Sequence, residues 1–145
     1  MEFRGAEQAR VTEEVSVALR EADSILIGPS NPIASIGPML AVPGMREALA
    51  EASAPVVAVS PLVGGHSLKG PTEAFMRWAG LSVDDGGVAA AYAGIAQGMV
   101  VDRGTPTGPP TSAGMVLHQT DTMMEGTEGR RRLAREVLDF AATLA

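Results

Sequence analysis

The residues best suited to chemistry stand in two stretches rich in glycine and proline. The first reads Gly28-Pro29-Ser30-Asn31-Pro32 and runs on to Ser35-Ile36-Gly37-Pro38. Glycine lets a ligand approach the backbone closely, serine and asparagine carry short donors, and the prolines stiffen the turn. That set suits a phosphate or diphosphate, with Ser35, Ile36 and the adjacent N–H groups near a helix start. The same residue types also build an ordinary strand-to-helix turn, in which Ser30 and Asn31 satisfy only the backbone, and composition does not separate the two. The second stretch runs from Ser60-Pro61 to Gly64-Gly65-His66-Ser67-Leu68-Lys69-Gly70-Pro71. Lys69, set between small and flexible residues, can reach a phosphate as a point charge. The spacing is not that of a Walker A loop.

Other polar residues carry less. His66 reads as an exposed, non-catalytic histidine, because no carboxylate partner is evident nearby. Asp84-Asp85 could bind a metal, but they precede Gly86-Gly87 and read better as caps of a turn or helix. His118 ends a strand pattern with Asp121 three residues on, the right place in an α/β fold for a ligand contact and equally the ordinary polarity of a strand end. Arg130-Arg131-Arg132 falls early in a helix, where the dipole disfavours cations; a nearby anion would explain it, and a solvated face explains it more simply. No Ser-His-Asp arrangement, carboxylate pair or HExxH helix stands out.

The elements that must position these loops follow from periodicity. Val11, Val15, Ala18, Leu19 and Ala22 recur at helical spacing, and residues 45–52 repeat the pattern. Short apolar runs at 24–28, 54–61, 98–102 and 115–118 have the continuous hydrophobicity of buried parallel strands. Thr72 is placed to cap a helix reaching Trp78, a short helix is expected over 88–96, and Thr127 opens a closing helix with Leu133, Val137, Phe140, Ala141 and Leu144 inward. Residues 105–113, with three prolines, read as a loop and the weakest-folded segment. Alternation of helices with apolar strands predicts α/β: a Rossmann-like three-layer domain with a mainly parallel sheet, occupying residues 1–145 as one unit.

Composition sets the outer bounds. Hydrophobic residues make up 46% of 145 and charged residues 19%, which suits a packed globular chain and not a disordered one. A net charge of −6 argues against nucleic-acid binding, which needs clustered cations. The chain has no cysteine, so disulfides, thiolate nucleophiles and Cys-ligated zinc are excluded. No apolar run approaches the roughly 20 residues of a membrane helix, and the amino terminus has no signal-peptide core, so no membrane partner and a cytoplasmic location are expected.

The first stretch belongs to a longer pattern. Ile25-Leu26-Ile27-Gly28-Pro29-Ser30-Asn31-Pro32, then Ser35-Ile36-Gly37-Pro38-Met39-Leu40-Ala41-Val42-Pro43-Gly44-Met45-Arg46, resembles the signature of 2-phospho-L-lactate transferases of coenzyme F420 biosynthesis. The likeness continues through Ala54-Pro55-Val56-Val57-Ala58-Val59-Ser60-Pro61, Lys69-Gly70 and Thr120-Asp121-Thr122-Met123-Met124, and Phe3-Arg4-Gly5-Ala6 fits it too. The resemblance implies transfer of a phospholactyl or phosphoenolpyruvyl group from a guanosine diphosphate-linked donor to the deazaflavin Fo. The products would be F420-0 (or its dehydro form) and GMP, with Mg²⁺ required. Gly28, Pro29, Ser30, Asn31, Ser35, Ile36, Gly64, Gly65, Lys69 and Gly70 would hold donor phosphates or guanosine. Family members run to about twice this length, within the usual span of one or two domains. The resemblance thus implies the carboxyl-terminal half of the enzyme, with the Mg²⁺ ligands in an amino-terminal half that this sequence lacks. On that reading the chain pairs with the missing half or forms a homo-oligomer, binds guanine nucleotide weakly or not at all by itself, and does not turn over. The alternative is a non-catalytic nucleotide-binding or assembly domain that keeps the fold.

Overall fold

The computed structural model describes residues 2–104 and 114–145, and the proline-rich segment 105–113 lies outside the described residues. After a short 3₁₀ turn at Ala6–Gln8, the elements are α1 (Glu13–Glu21), β1 (Ile25–Ile27), a five-residue turn of wide pitch (Pro32–Ile36), α2 (Gly37–Leu40), α3 (Met45–Ala50), β2 (Val56–Val59), β3 (Leu62–Val63), β4 (His66–Ser67), α4 (Thr72–Trp78), α5 (Asp85–Ala91), β5 (Gly98–Asp102), β6 (Val116–Thr120) and α6 (Gly126–Ala142). The main sheet has the order β1-β2-β5-β6 and every pairing in it is parallel. A separate antiparallel hairpin joins β3 to β4.

The expected α/β class and parallel sheet are therefore present, with three layers. Strand alternation sends Val56, Ala58, Met99 and Val101 to one face, where they pack with Leu49, Met76, Val88 and Tyr92 from the helices of the first two-thirds of the chain. Val57, Val59 and Val100 point the other way, onto Leu133, Val137, Phe140 and Ala141 of α6. The helix seats closely because Gly98 has no side chain: a Cβ there would come within 2.6 Å of Leu144 and 2.8 Å of Phe140. Both central strands are buried on both faces, which is why they read as unbroken apolar runs.

Several boundaries differ from those expected. Thr72 is not the cap of α4: Pro71 occupies that position, and Thr72 is the first helical residue with its side chain buried. The helix expected over 88–96 begins at Asp85, because Asp84 caps it by accepting the Gly87 N–H at 2.8 Å, and it ends at Ala91. The fourth strand runs two residues further, to Thr120, and α6 opens at Gly126 without a side-chain cap. The β3–β4 hairpin lies inside the second glycine-rich stretch; two-residue strands are too short to show a period. No helix among the described residues is long and apolar enough to cross a membrane.

One core residue carries a cost. Tyr92 is fully buried, and its hydroxyl has no hydrogen-bond partner among the described residues. Burying a hydroxyl unpaired costs about 1–3 kcal/mol relative to leaving it hydrated. Tyr92→Phe is therefore expected to leave stability unchanged or raise it by about 1 kcal/mol. Urea unfolding of the two proteins measures this directly, and a loss of stability in the variant would mean that the hydroxyl is bonded after all.

Candidate functional site

In an open parallel sheet the strands end in loops on one side, and ligands bind there. Here the loops after β1, β2 and β6 enclose a cleft of about 640 Å³, within the roughly 300–1,000 Å³ of ordinary ligand pockets. From the β1 loop it is lined by Pro29, Ser30, Asn31, Ala34 and Ser35; from the middle by Ser60, Pro61, Lys69, Gly70 and Thr72; and from the β6 loop by Thr122, Met123 and Met124. Val63, Leu68, Pro71 and Phe75 complete the wall. Lys69 is the one charged side chain of this lining, and it makes no ion pair with any described residue.

Of the residues singled out in the sequence, Pro29, Ser30, Asn31, Ser35, Lys69 and Gly70 are brought together in this cleft. Gly28 leaves the end of β1 beside them and is exposed. Ile36 is directed into the core, packed with Leu40 and Met76. Gly64 and Gly65 form the β3–β4 turn with positive φ, 58° and 83°, and do not line the cleft.

The N–H groups of the first turn are already engaged. Asn31 Oδ1 accepts from the N–H groups of Ile33 and Ala34, each at 2.9 Å. Its carbonyl accepts from Ser35 and Ile36, each at 3.0 Å. Asn31 therefore closes the turn with its oxygens and leaves its side-chain NH₂ as a donor. The ligand-facing donors of this loop are side chains, Ser30, Asn31 and Ser35, and not the amides of residues 33–36.

Beneath the cleft lie two carboxylates. Asp102, at the end of β5, is buried. One oxygen accepts from the N–H groups of Gly64 (3.0 Å) and Gly104 (2.9 Å), and the other from the N–H and hydroxyl of Thr122 (both 3.2 Å). Burial alone would raise its carboxyl, but the three backbone N–H bonds and the Thr122 hydroxyl outweigh that and hold it below the ordinary range. Asp85 accepts from the Ser60 hydroxyl at 2.6 Å. Burial pushes the Asp85 carboxyl up, the Ser60 bond opposes this, and the charges of Asp84 and Asp102 add to the rise. No group of three His, Cys, Asp or Glu side chains among the described residues could hold a metal ion.

The β6 loop is fixed from behind by Arg132. Its guanidinium donates to the carbonyls of Asp121 (2.7 Å) and Met123 (3.0 Å), and pairs with the carboxylates of Asp121 (3.2 Å) and Glu136 (3.3 Å). The anion that a cation early in α6 called for is thus supplied by the chain, at least for Arg132. Glu136 also accepts from the Thr120 hydroxyl. His66 does have a carboxylate near it, contrary to the reading of the sequence: Glu73 lies 3.6 Å from its Nδ1, brought there by the turn from β4 into α4. The ring is 82% exposed, and Glu73 is shared with Arg77, so this is a surface pair of little energetic weight. His118 stacks on Phe140, centroids 5.0 Å apart, under α6 and away from the cleft.

Asp102 and Thr122 escaped notice as site residues, and Ser60 was read only as the opening of the second stretch. Each closes or follows an apolar strand with a polar side chain, which is the one signal the sequence offered for them.

Comparison with known proteins bears on what this cleft belongs to. Residues 2–137 match the family described as 2-phospho-L-lactate transferase CofD. A 2-phospho-L-lactate transferase of Methanococcoides burtonii is 35% identical over 146 residues, covering 99% of this chain and 47% of that protein. A phosphoenolpyruvate transferase of Streptomyces coelicolor is 39% identical over 140 residues, 94% of this chain and 44% of that protein. A phosphoenolpyruvate transferase of Mycobacterium avium reaches 49% identity over 79 residues, 54% of this chain and 23% of that protein. The chain thus spans about half the length, or less, of the curated relatives it matches.

Asp102→Asn would turn an NH₂ toward one pair of donors and leave an amide unpaired. A loss of about 1–3 kcal/mol is expected at neutral pH. A carboxylate with a depressed value contributes stability above about pH 4, its unfolded value, and loses it as pH falls through the folded one. The gap between wild type and Asp102→Asn should therefore narrow below about pH 4, which urea unfolding across pH 2–7 measures. A gap independent of pH would refute the assignment.

Proposed function

The chain belongs to the 2-phospho-L-lactate transferase CofD family, and on that premise we propose that its cleft holds the guanosine diphosphate-linked donor of a phospholactyl or phosphoenolpyruvyl transfer to the deazaflavin Fo. The observation that supports this reading is the lining itself: Ser30, Asn31, Ser35 and one cation, Lys69, that pairs with no described residue, without a carboxylate in the described lining of the cleft. Such a wall favours an anion whose charge is spread over several oxygens.

In the proposed reaction the Fo hydroxyl attacks the phosphorus that carries the three-carbon group. A new O–P bond forms, the bridging P–O bond to GMP breaks, and the hydroxyl proton is lost to solvent or to a base. Transfers of this kind ask a protein chiefly for positioning and for neutralisation of charge. Lys69 would neutralise a diphosphate oxygen, and the Ser30, Ser35 and Asn31 side chains would orient the group. The Mg²⁺ that the reading calls for would take its ligands from outside the described residues, among which no group of three His, Cys, Asp or Glu side chains could hold an ion. The chain alone is accordingly expected to bind nucleotide weakly and to form no F420-0. An alternative, a nucleotide-binding or assembly domain without turnover, shares the cleft and parts from the transferase reading only at product formation.

The test is titration of the folded chain with GDP to millimolar concentration, followed by ¹⁵N amide shifts. Perturbation around Ser30 and Lys69, reduced about tenfold in affinity by Lys69→Met as loss of one charge-assisted contact predicts, is the expected result. Ser30→Ala should act in the same direction. Asn31→Ala is the poorer reporter, because it also removes the bonds that close the turn. Absence of any shift at these residues in the wild type would overturn the placement of the donor.

A further inference from the structure

A second cavity lies behind the turn that walls one side of the cleft. Asn31, Ala34 and Ser35 line the cleft, whereas Pro32 and Ile33 line a separate groove of about 390 Å³. Among the described residues the two share no lining side chain. Helices close the rest of the groove: Gly37 and Leu40 of α2, Arg46 of α3, Trp78 at the end of α4 and Ala91 at the end of α5. Its size falls toward the lower end of ordinary ligand pockets, roughly 300–1,000 Å³, and suits a molecule with one ring.

The groove gathers aromatic surface in a chain that has little of it. The sequence holds three phenylalanines, one tryptophan and one tyrosine, and Phe3 and Trp78 both line this groove. Trp78 is 60% exposed. A solitary exposed apolar side chain means little, but Trp78 shares its groove with Phe3, Ile33 and Leu81. Phe3 is seated, not loose: a Cβ on Gly37 would come within 3.1 Å of its ring, so the bare glycine is what lets the ring lie there. An aromatic wall already held in place takes up a flat ligand at low entropic cost.

Among the described residues of the lining one is charged, and its charge is positive. Arg46 Nη2 donates to the carbonyl of Ala91 at 3.2 Å, which sets the guanidinium at the end of α5. A guanidinium carries five N–H donors, and this one pairs with no carboxylate of the described residues. The sequence as a whole has a net charge of −6, so an arginine left without an acid in an apolar groove stands out from its surroundings. Its planar fork matches a carboxylate in two-point geometry.

We propose that this groove is a second binding site, for a small molecule with one flat apolar body and one carboxylate. The body lies against Trp78 and the carboxylate meets Arg46. The inference is independent of the donor-site reading above, because it draws on none of the residues that line the cleft.

Trp78 is the only tryptophan of the sequence, so tryptophan emission reports on this groove alone. The chain is titrated separately with phenylpropionate, phenylpropanamide and acetate, and ¹⁵N amide shifts at Ile33 and Leu81 are followed in parallel. Phenylpropionate is expected to move the emission saturably to shorter wavelength. Phenylpropanamide should bind about tenfold more weakly, for want of one charge-assisted contact, and acetate should leave Trp78 unchanged. In Arg46→Met the acid and the amide should bind alike; Arg46 is exposed, so the variant should keep the wild-type urea midpoint. Equal affinity of acid and amide in the wild type would overturn the proposal, as would acetate acting as strongly as phenylpropionate. Absence of any saturable change at Trp78, Ile33 and Leu81 would refute it too. So would ligand-free emission that shifts with protein concentration, since a second copy of the chain would then be what covers the groove.

Discussion

The carboxylate of Asp102 is the point on which the cleft depends. It closes the strand at the centre of the carboxyl edge, and its two oxygens take four hydrogen bonds from three separate loops. Without that anion the Thr122 N–H and hydroxyl would be unpaired in a buried place, where the low dielectric makes unpaired groups costly, and the exposed Gly64 and Gly104 turns would lose the acceptor that ties them to the strand end. The side chains that face a ligand sit next to these anchors in sequence: Met123 follows Thr122, and the hairpin that begins near Gly64 leads to Lys69. A buried negative charge thus organises a surface that is itself free of negative charge.

The two ends of the cleft are held by different means. At the β1 end a single asparagine spends its oxygens on closing a five-residue turn, so the loop is rigid and its remaining donors point outward. At the β6 end an arginine from α6 clamps the chain from outside the cleft. Both devices place polar atoms against backbone groups that would otherwise compete for the ligand. The hydrophobic layer beneath, with α6 lying directly over Gly98, fixes the distance between the clamp and the sheet.

The layout of the sheet was legible because Val56–Val59 and Gly98–Asp102 are buried on both faces and so carry unbroken apolar runs. The family was legible because the 25–46 segment is long and ordered, which composition alone could not supply. The grouping of Ser30, Asn31, Ser35, Lys69 and Gly70 could be expected from the rule that loops at strand ends converge. What could not be read was which donors remain free. That Asn31 consumes the amides of residues 33–36, or that Ile36 faces the core, depends on the pitch of one turn. That Leu68 and Phe75 line the same cleft as Met123 and Met124 was hidden for a different reason: some fifty residues of sequence separate the two pairs, and a sequence pattern does not reveal meetings at that range. Asp102 looked like the end of a strand because its three partner residues, with four donors between them, lie on three loops.

The placement of the cleft's walls on both edge strands has a consequence for how the chain folds. Parallel pairs need long crossovers, so β1, β2, β5 and β6 come together only through contacts between residues far apart in sequence, which form late and slowly. The cleft then exists only when the last edge strand has docked. Any molecule that bridges the two ends holds the outermost strands in register and acts as a brace against fraying of the sheet, and amide exchange at Ile25–Ile27 and Val116–Thr120 would slow together on its arrival.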